Sequence, residues 1–495
     1  MILYQRLSGH ARFQPDAVAI QSEDGLMTYH QLLVLTEQCQ QYFIQCDLKC
    51  GDRVAILALN HPDYFIALFA AARLGLILVP LNWRLSVDEL LYVIRDCEPA
   101  LLLHDTEFSD TAIQLTNSHS ELKLQRFACA GFPASTYNTT SIDTAADQAD
   151  QPLLIVYTSG TTGRPKGAVL SQRSLLCSAL MSHHMLDMTP ADRVLNVLPL
   201  FHVGGLNIQP LPALLCGATL VLHSRFEPEA AAKALEEDRI TLVNTVPTLL
   251  QAIISCERFS VANFSSLRAI SIGSTDVPVS LITQLAEHSI PLIQIYGATE
   301  TSPAAIYQRI EHSSLAGSIG RAGLLCEVRL MKEGGVQADI GESGEIQVKG
   351  ENILTHYWNN PEATEAGIVD GWFCTGDVAH MDAEGFYWFD DRLKHVVISG
   401  GENIYPAELE RIIRDLPGVA EVAVVGKADP RWGEVPVAVV VQSGSIAAED
   451  IIEGCAQIAR FKQPREVVFV DELPRNALGK IQVPEVKALV SQHQA

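Results

Sequence analysis

The sequence predicts an α/β fold: a large N-terminal domain of βαβ layers with a small β subdomain, then a smaller α+β C-terminal domain. Three observations point there. The chain has 495 residues, too many for one ordinary core and enough for one large and one small domain. Hydrophobic residues make up 48% of it and charged residues 19%, so it can bury a sizeable core rather than stay disordered. Short apolar runs alternate with stretches of helical periodicity along most of its length, the pattern of a parallel sheet covered by helices.

The elements follow in order. Val54-Ala55-Ile56-Leu57 reads as a buried strand, residues 62–74 as a helix and residues 77–80 as the next strand. Residues 64–81 are the most apolar stretch, but Arg73 interrupts them; a core helix leading into a strand fits better than a membrane span, which needs about 20 apolar residues. Residues 153–157 read as a strand, and residues 219–222, 242–245 and 269–272 repeat the theme, separated by helical stretches such as 228–238. Residues 343–350 and 385–390 alternate between glycine turns and predict the small β subdomain. A new unit follows, with a helix at 407–416 and strands at 419–425, 435–441 and 467–470. The linker is placed near residues 391–394, giving domains 1–391 and 392–495.

Composition removes several functions. A net charge of −23 argues against a nucleic-acid partner, because phosphate backbones are bound by a surplus of Lys and Arg. Any anionic ligand must be held by local groups. The eleven cysteines are dispersed and form no CxxC pair, which fits reduced thiols in a cytoplasmic protein and supplies no metal-site spacing. Residues 1–16 lack the apolar run of a signal peptide, and no integral membrane segment is expected.

The densest signal is Thr158-Ser159-Gly160-Thr161-Thr162-Gly163-Arg164-Pro165-Lys166-Gly167. Four hydroxyls, three glycines and a lysine lie within ten residues, directly after a strand and before an amphipathic stretch. Glycines let backbone N–H groups approach a phosphate, hydroxyls donate to its oxygens, and Lys166 adds a charge. The spacing is not that of the P-loop, which needs Gly, four residues, then Gly-Lys-Ser/Thr. A solvent loop of turn formers is the bland alternative.

The string from Tyr157 to Ala168 resembles the signature of the adenylate-forming superfamily: acyl-CoA synthetases, adenylation domains of peptide synthetases, and luciferases. Further signatures follow in that family's order. Tyr296-Gly297-Ala298-Thr299-Glu300-Thr301 resembles the second; the resemblance implies that Thr299 contacts the nucleotide phosphate and that Glu300 holds Mg²⁺. Gly371-Trp372-Phe373-Cys374-Thr375-Gly376-Asp377 resembles the third, with Asp377 and Arg392 as ribose contacts. In Leu473-Pro474-Arg475-Asn476-Ala477-Leu478-Gly479-Lys480-Ile481, the resemblance makes Lys480 the catalytic lysine of adenylate formation. Ser399-Gly400-Gly401-Glu402 resembles the start of a small mobile domain that rotates between two half-reactions, Gly400 and Gly401 lining the thiol tunnel and Lys394 standing at the hinge, where Asp is common. Ser271-Ile272-Gly273-Ser274-Thr275-Asp276 sits where relatives usually read Gly-Gly-Ala-Pro and borders the adenine and the acid; Ser274, Thr275 and Asp276 are polar departures that leave room for a polar acid, with a cap on the helix starting near Pro278 as the plain alternative for Asp276.

Pro199-Leu200-Phe201-His202-Val203-Gly204-Gly205-Leu206 resembles the segment that opens the acid pocket. Amino-acid-activating relatives commonly carry Asp at the position of His202; its absence argues against an α-amino acid, since an unpaired buried ammonium is costly. His202 resembles the aromatic gate of aryl- and fatty-acid ligases, although a satisfied core histidine is the plain alternative. Arg84, Lys462 and Arg465 stand where some relatives meet CoA phosphates. The resemblance therefore implies ATP, Mg²⁺ and CoA, and an acid–CoA ligase acting on an aromatic or medium-chain acid. Two rivals stay open: a stand-alone adenylating enzyme that loads an acyl carrier protein, and a non-catalytic nucleotide-binding protein. The acid, the pathway and the oligomeric state are not readable from the chain.

Overall fold

In a computed structural model the described residues are 3–118, 122–126, 149–158, 165–273, 277–399, 402–430, 432–456, 458, 460, 462–475 and 480–492, the side chains at 279, 280, 394, 402 and 403 excepted. They form two compact units, residues 1–328 with 348–373, and residues 329–347 with 374–495. That division follows contact rather than motion, and it falls earlier than the 391/392 boundary read from the sequence, which stays a proposal for the pivot. The difference has a local cause: the strand Trp372–Met381 pairs antiparallel with Tyr387–Arg392.

The first unit contains two mainly parallel sheets. In one, the spatial order is His356–Tyr357, Lys166–Ser171, Pro152–Thr158, Ile77–Pro80, Arg53–Leu57, Leu101–His104, Lys123–Arg126. The strands from Pro152–Thr158 to Lys123–Arg126 are parallel. In the other, Leu292–Tyr296, Ala269–Gly273, Leu242–Thr245, Arg193–Asn196, Thr219–Leu222 and Val18–Ser22 run parallel in that order. The strands 77–80 and 101–104 are buried throughout, as expected of parallel strands covered on both faces. The helix Asp63–Leu74 is apolar nearly all round, so ten of its twelve residues are buried; Gly75 ends it with φ +68°, a left-handed cap that suits glycine. Ser86 and Glu89 form a capping box that starts the helix Val87–Cys97.

One local expectation changes. The segment after the phosphate loop, read as amphipathic, is the strand Lys166–Ser171, which turns back antiparallel to Pro152–Thr158 and is buried along most of its length. Val169 and its neighbours are buried on both faces, so periodicity alone could not separate strand from helix there.

In the second unit, Val419–Asp429 and Gly433–Gln442 form a long antiparallel pair; on the other side of Gly433–Gln442, Glu466–Val470 pairs parallel with its later residues, and Val397–Ser399, itself paired with Glu402–Ile404, meets its first residue. Pro406–Arg414 buries Leu409 and Ile413 against one face of this sheet, and Val483–Gln492 buries Val486 and Val490 against the other. Among the described residues no helix is long and apolar enough to cross a membrane.

Candidate active site

The two ends of the phosphate loop are a cross-strand pair. Thr158 lies opposite Lys166, and the Thr158 hydroxyl points to the Lys166 carbonyl at 3.5 Å. Ser159, Gly160, Thr161, Thr162 and Gly163 lie outside the described residues. Gly167 has a packing duty: a Cβ there would stand 2.7 Å from the Ile155 side chain and 3.3 Å from Trp358.

Lys166 reaches the second signature through a residue the sequence reading missed. Its ammonium lies 5.5 Å from the centroid of the Tyr357 ring, within cation–π range. The Tyr357 hydroxyl donates to Glu300 Oε1 at 2.8 Å. Burial, reinforced by the Glu300 charge, pushes the Tyr357 phenol upward, so it stays a donor and Glu300 the acceptor. The only signal in the chain was the aromatic pair Tyr357-Trp358.

Glu300 sits in a short 3₁₀ turn, Thr299–Thr301, just past the end of the strand Leu292–Tyr296. That is the carboxyl edge of a parallel sheet, where α/β folds bind ligands. The turn is tightly held. The Thr301 hydroxyl donates to Pro303 O at 2.6 Å and accepts from Ala298 N at 2.9 Å. Asn352 donates to the carbonyls of Thr301 and Ala304, and Leu354 N to that of Glu300. Tyr296 is buried. Gly297 is obligatory, because a Cβ would lie 1.6 Å from Pro303 O. Gly273 ends the adjacent strand, and a Cβ there would meet Ile295 O at 2.6 Å. Ser274, Thr275 and Asp276 lie outside the described residues.

The acid-pocket segment separates its two glycines. His202 precedes the short helix Val203–Leu206, its ring 4.5 Å from that of Phe201. Trp83 packs edge-on to Phe201 and stacks on Phe108, and the exposed Arg84 lays its guanidinium over Trp83 and Phe201. Val203 is buried. A Cβ on Gly205 would strike Pro199 O at 2.1 Å, whereas one on Gly204 would meet only Ile208, at 4.0 Å. A buried relay fixes this wall: Gln209 donates to Ser271, Ser271 to Asn244 and Asn244 to Gly204 O, at 2.9, 2.7 and 3.1 Å.

The remaining candidates belong to the second unit. Asp377 and Arg392 are cross-strand partners, with Arg392 Nε 3.0 Å from a buried carboxylate oxygen of Asp377. Lys394 lies in the turn Leu393–His395. Gly400 and Gly401 lie outside the described residues, between the paired strands 397–399 and 402–404. Lys480 is exposed, next to the Arg475–Ile481 bridge. Lys462 is held by Glu408, its ammonium 2.8 and 3.0 Å from the two carboxylate oxygens, and Arg465 is exposed. None of the ten described cysteines is in a disulfide.

Residues 7–358 match the AMP-binding enzyme family, and residues 408–480 match the AMP-binding enzyme C-terminal domain. The chain belongs to that family. It lies in the acyl-CoA synthetase branch of the adenylate-forming superfamily, whose members are AMP-forming acid–CoA ligases that use ATP, Mg²⁺ and CoA. It is 42% identical to an indoleacetate–CoA ligase of Aromatoleum aromaticum over 99% of this chain and 98% of the relative. It is 38% identical to a feruloyl-CoA synthase of an Amycolatopsis species over 96% of each. Among solved structures, the o-succinylbenzoate CoA synthetase of Bacillus subtilis, bound to its acyl-adenylate intermediate, superposes with a TM-score of 0.87 at 31% identity, covering 98% of both chains.

The residues present suit Mg²⁺. This ion keeps several waters and binds through one or two carboxylates plus substrate phosphates. Among the described residues there is no cluster of three or more His, Cys, Asp or Glu, and Glu300 is one carboxylate oriented by Tyr357 beside the Lys166 charge.

Proposed function

We propose that this chain joins an aromatic carboxylic acid to CoA in two steps, with acyl-AMP between them. The observation that carries the reading is the Lys166–Tyr357–Glu300 constellation at a carboxyl sheet edge, beside the ends of the phosphate loop. In the first step a carboxylate oxygen attacks the α-phosphorus of ATP, the bond to the β-phosphate breaks, and pyrophosphate leaves. Lys480 opposes charge at the α-phosphate. Thr158, the loop hydroxyls, Lys166 and Thr299 hold the phosphates, Asp377 and Arg392 hold the ribose, and residues 273–275 with 296–298 border the adenine. Glu300 would hold Mg²⁺, which would supply positive charge against the phosphates. In the second step the thiol sulfur attacks the acyl carbon, losing its proton, and AMP departs. Gly400 and Gly401 leave room for the thiol arm, Arg84 and Arg465 offer charge to its phosphates, and Lys394 is the pivot. Lys462 can join them only by leaving Glu408.

An aromatic acid is favoured over a medium-chain aliphatic one by the Trp83–Phe201–His202 ring face and by the similarity to ligases named for indoleacetate and ferulate. The open side of Gly204 is the space such a ring would fill. Gly204→Leu is expected to lower kcat/KM for large aryl acids by about 10–100-fold while small acids lose little. Equal losses across acid sizes would place Gly204 away from the acid.

The direct test is AMP formation from ATP across a panel of carboxylic acids, with and without CoA. AMP that requires both, with matching acyl-CoA, supports the ligase. Pyrophosphate release with an acid but no CoA-dependent turnover would favour loading of a carrier protein, and no release with any acid would overturn the enzyme reading.

A further inference from the structure

We propose that Asp96 is a positioning residue for ATP, joining both strands that flank the phosphate loop to the segment that orients Glu300. The inference rests on the phosphate role given above to Lys166 and Glu300. Asp96 stands in the last turn of the helix Val87–Cys97. Its carboxylate accepts a short hydrogen bond from the Tyr157 hydroxyl, one residue before Thr158. Its carbonyl accepts from Trp358 Nε1 at 3.1 Å and from Asn359 Nδ2 at 2.9 Å. Trp358 follows Tyr357, and its backbone N–H donates to Gly167 O at 2.7 Å. One helix turn earlier, the Tyr92 hydroxyl donates to Pro165 O at 3.3 Å, next to Lys166. Four contacts from one helix end thus converge on the residues before the loop, after it, and beside Glu300.

The helix end is itself anchored. Arg53 donates to the carbonyls of Cys97 and Glu98, both at 2.7 Å, and its guanidinium lies over the Trp358 ring. Phosphate binding depends on placement to within a fraction of an ångström. A charged acceptor that fixes Tyr157 while its own carbonyl fixes Trp358 ties the strand ladder that carries the loop to the segment that orients Glu300. Asp96 touches none of the groups placed beside the acid, so its effect should be confined to ATP.

The experiment measures acid-dependent exchange of pyrophosphate into ATP with the best acid of the panel, and thioester formation from supplied acyl-AMP and CoA. Asp96→Ala is expected to raise KM for ATP about tenfold, with KM for the acid and thioester formation changed by less than about twofold. Asp96→Asn keeps an oxygen that can accept from Tyr157 and should recover most of the loss. Tyr157→Phe should reproduce the ATP defect and add nothing in the Asp96→Ala background. An unchanged KM for ATP, equal damage to both half-reactions, or Asp96→Asn as impaired as Asp96→Ala would overturn the proposal. If Asp96→Ala does not fold, Tyr157→Phe alone reads the same constant. Lys166→Ala serves as the separate check: if it leaves KM for ATP unchanged, the underlying phosphate assignment has failed.

Discussion

Lys480→Ala is expected to lower acid-dependent pyrophosphate exchange by about 10²–10³-fold while thioester formation from supplied acyl-AMP stays within about twofold. The split follows from where charge develops. In adenylate formation a carboxylate approaches an already anionic phosphate, and negative charge accumulates on the equatorial and bridging oxygens at the transition state. An ammonium placed there stabilises that state more than the ground state, which is the condition for acceleration. In the thiol step charge grows on the departing AMP oxygen, so sparing of that step requires that the proposed rotation of the small domain carry Lys480 away from the reacting atoms. The counterpart is Gly401→Leu, expected to abolish thioester formation while pyrophosphate exchange persists, because bulk beside a thiol arm blocks only the second step. Loss of both half-reactions in Lys480→Ala would reduce Lys480 to a structural role, and unchanged acyl-CoA formation in Gly401→Leu would remove Gly401 from the thiol path.

The layered part of the fold was legible because parallel strands buried on both faces announce themselves as short apolar runs. The strands 77–80, 219–222 and 242–245 coincide with their expected bounds, and 53–57 agrees to within a residue. Elements whose environment is set by distant partners were not legible. The Lys166–Ser171 strand exists because it pairs back on 152–158, and an apolar run cannot say whether it will pair or coil. The site divided the same way. Lys166 stood out within a loop of hydroxyls and glycines, whereas Glu300, Asp377 and Lys480 stood out only through the family resemblance of the strings that hold them. Tyr357 did not, because its bond to Glu300 crosses 57 residues and a tyrosine in an aromatic pair reads as core. Asp96 belongs to no motif, and its bond to Trp358 spans 262 residues. Gly204 and Gly205 are identical letters, and only the surroundings of the missing Cβ tell a packing glycine from one facing open space.

Gly297→Ala tests that distinction where the expected effect is largest. The added methyl would sit 1.6 Å from Pro303 O and 2.8 Å from Thr301 Oγ1, well inside van der Waals contact. Neither obstacle can swing away. Pro303 O is a backbone atom that already accepts from Thr301, and Thr301 is buried with its hydroxyl committed to both Pro303 and Ala298. The turn must open, and Glu300, whose carbonyl is held by Leu354 and whose carboxylate is held by Tyr357, must move with it. Overpacking of this kind costs about 1–3 kcal/mol, and displacing the carboxylate proposed to hold Mg²⁺ by about 1 Å can cost about a hundredfold in rate. Gly297→Ala should therefore lower the melting temperature and reduce pyrophosphate exchange about a hundredfold, with KM for ATP rising as well. Gly376→Ala is the control: it has open space around its missing Cβ but a φ of +69°, so it should show conformational strain without a clash. If Gly297→Ala melts and turns over like the unaltered protein, the turn is not the rigid mount for Glu300 that the phosphate assignment needs.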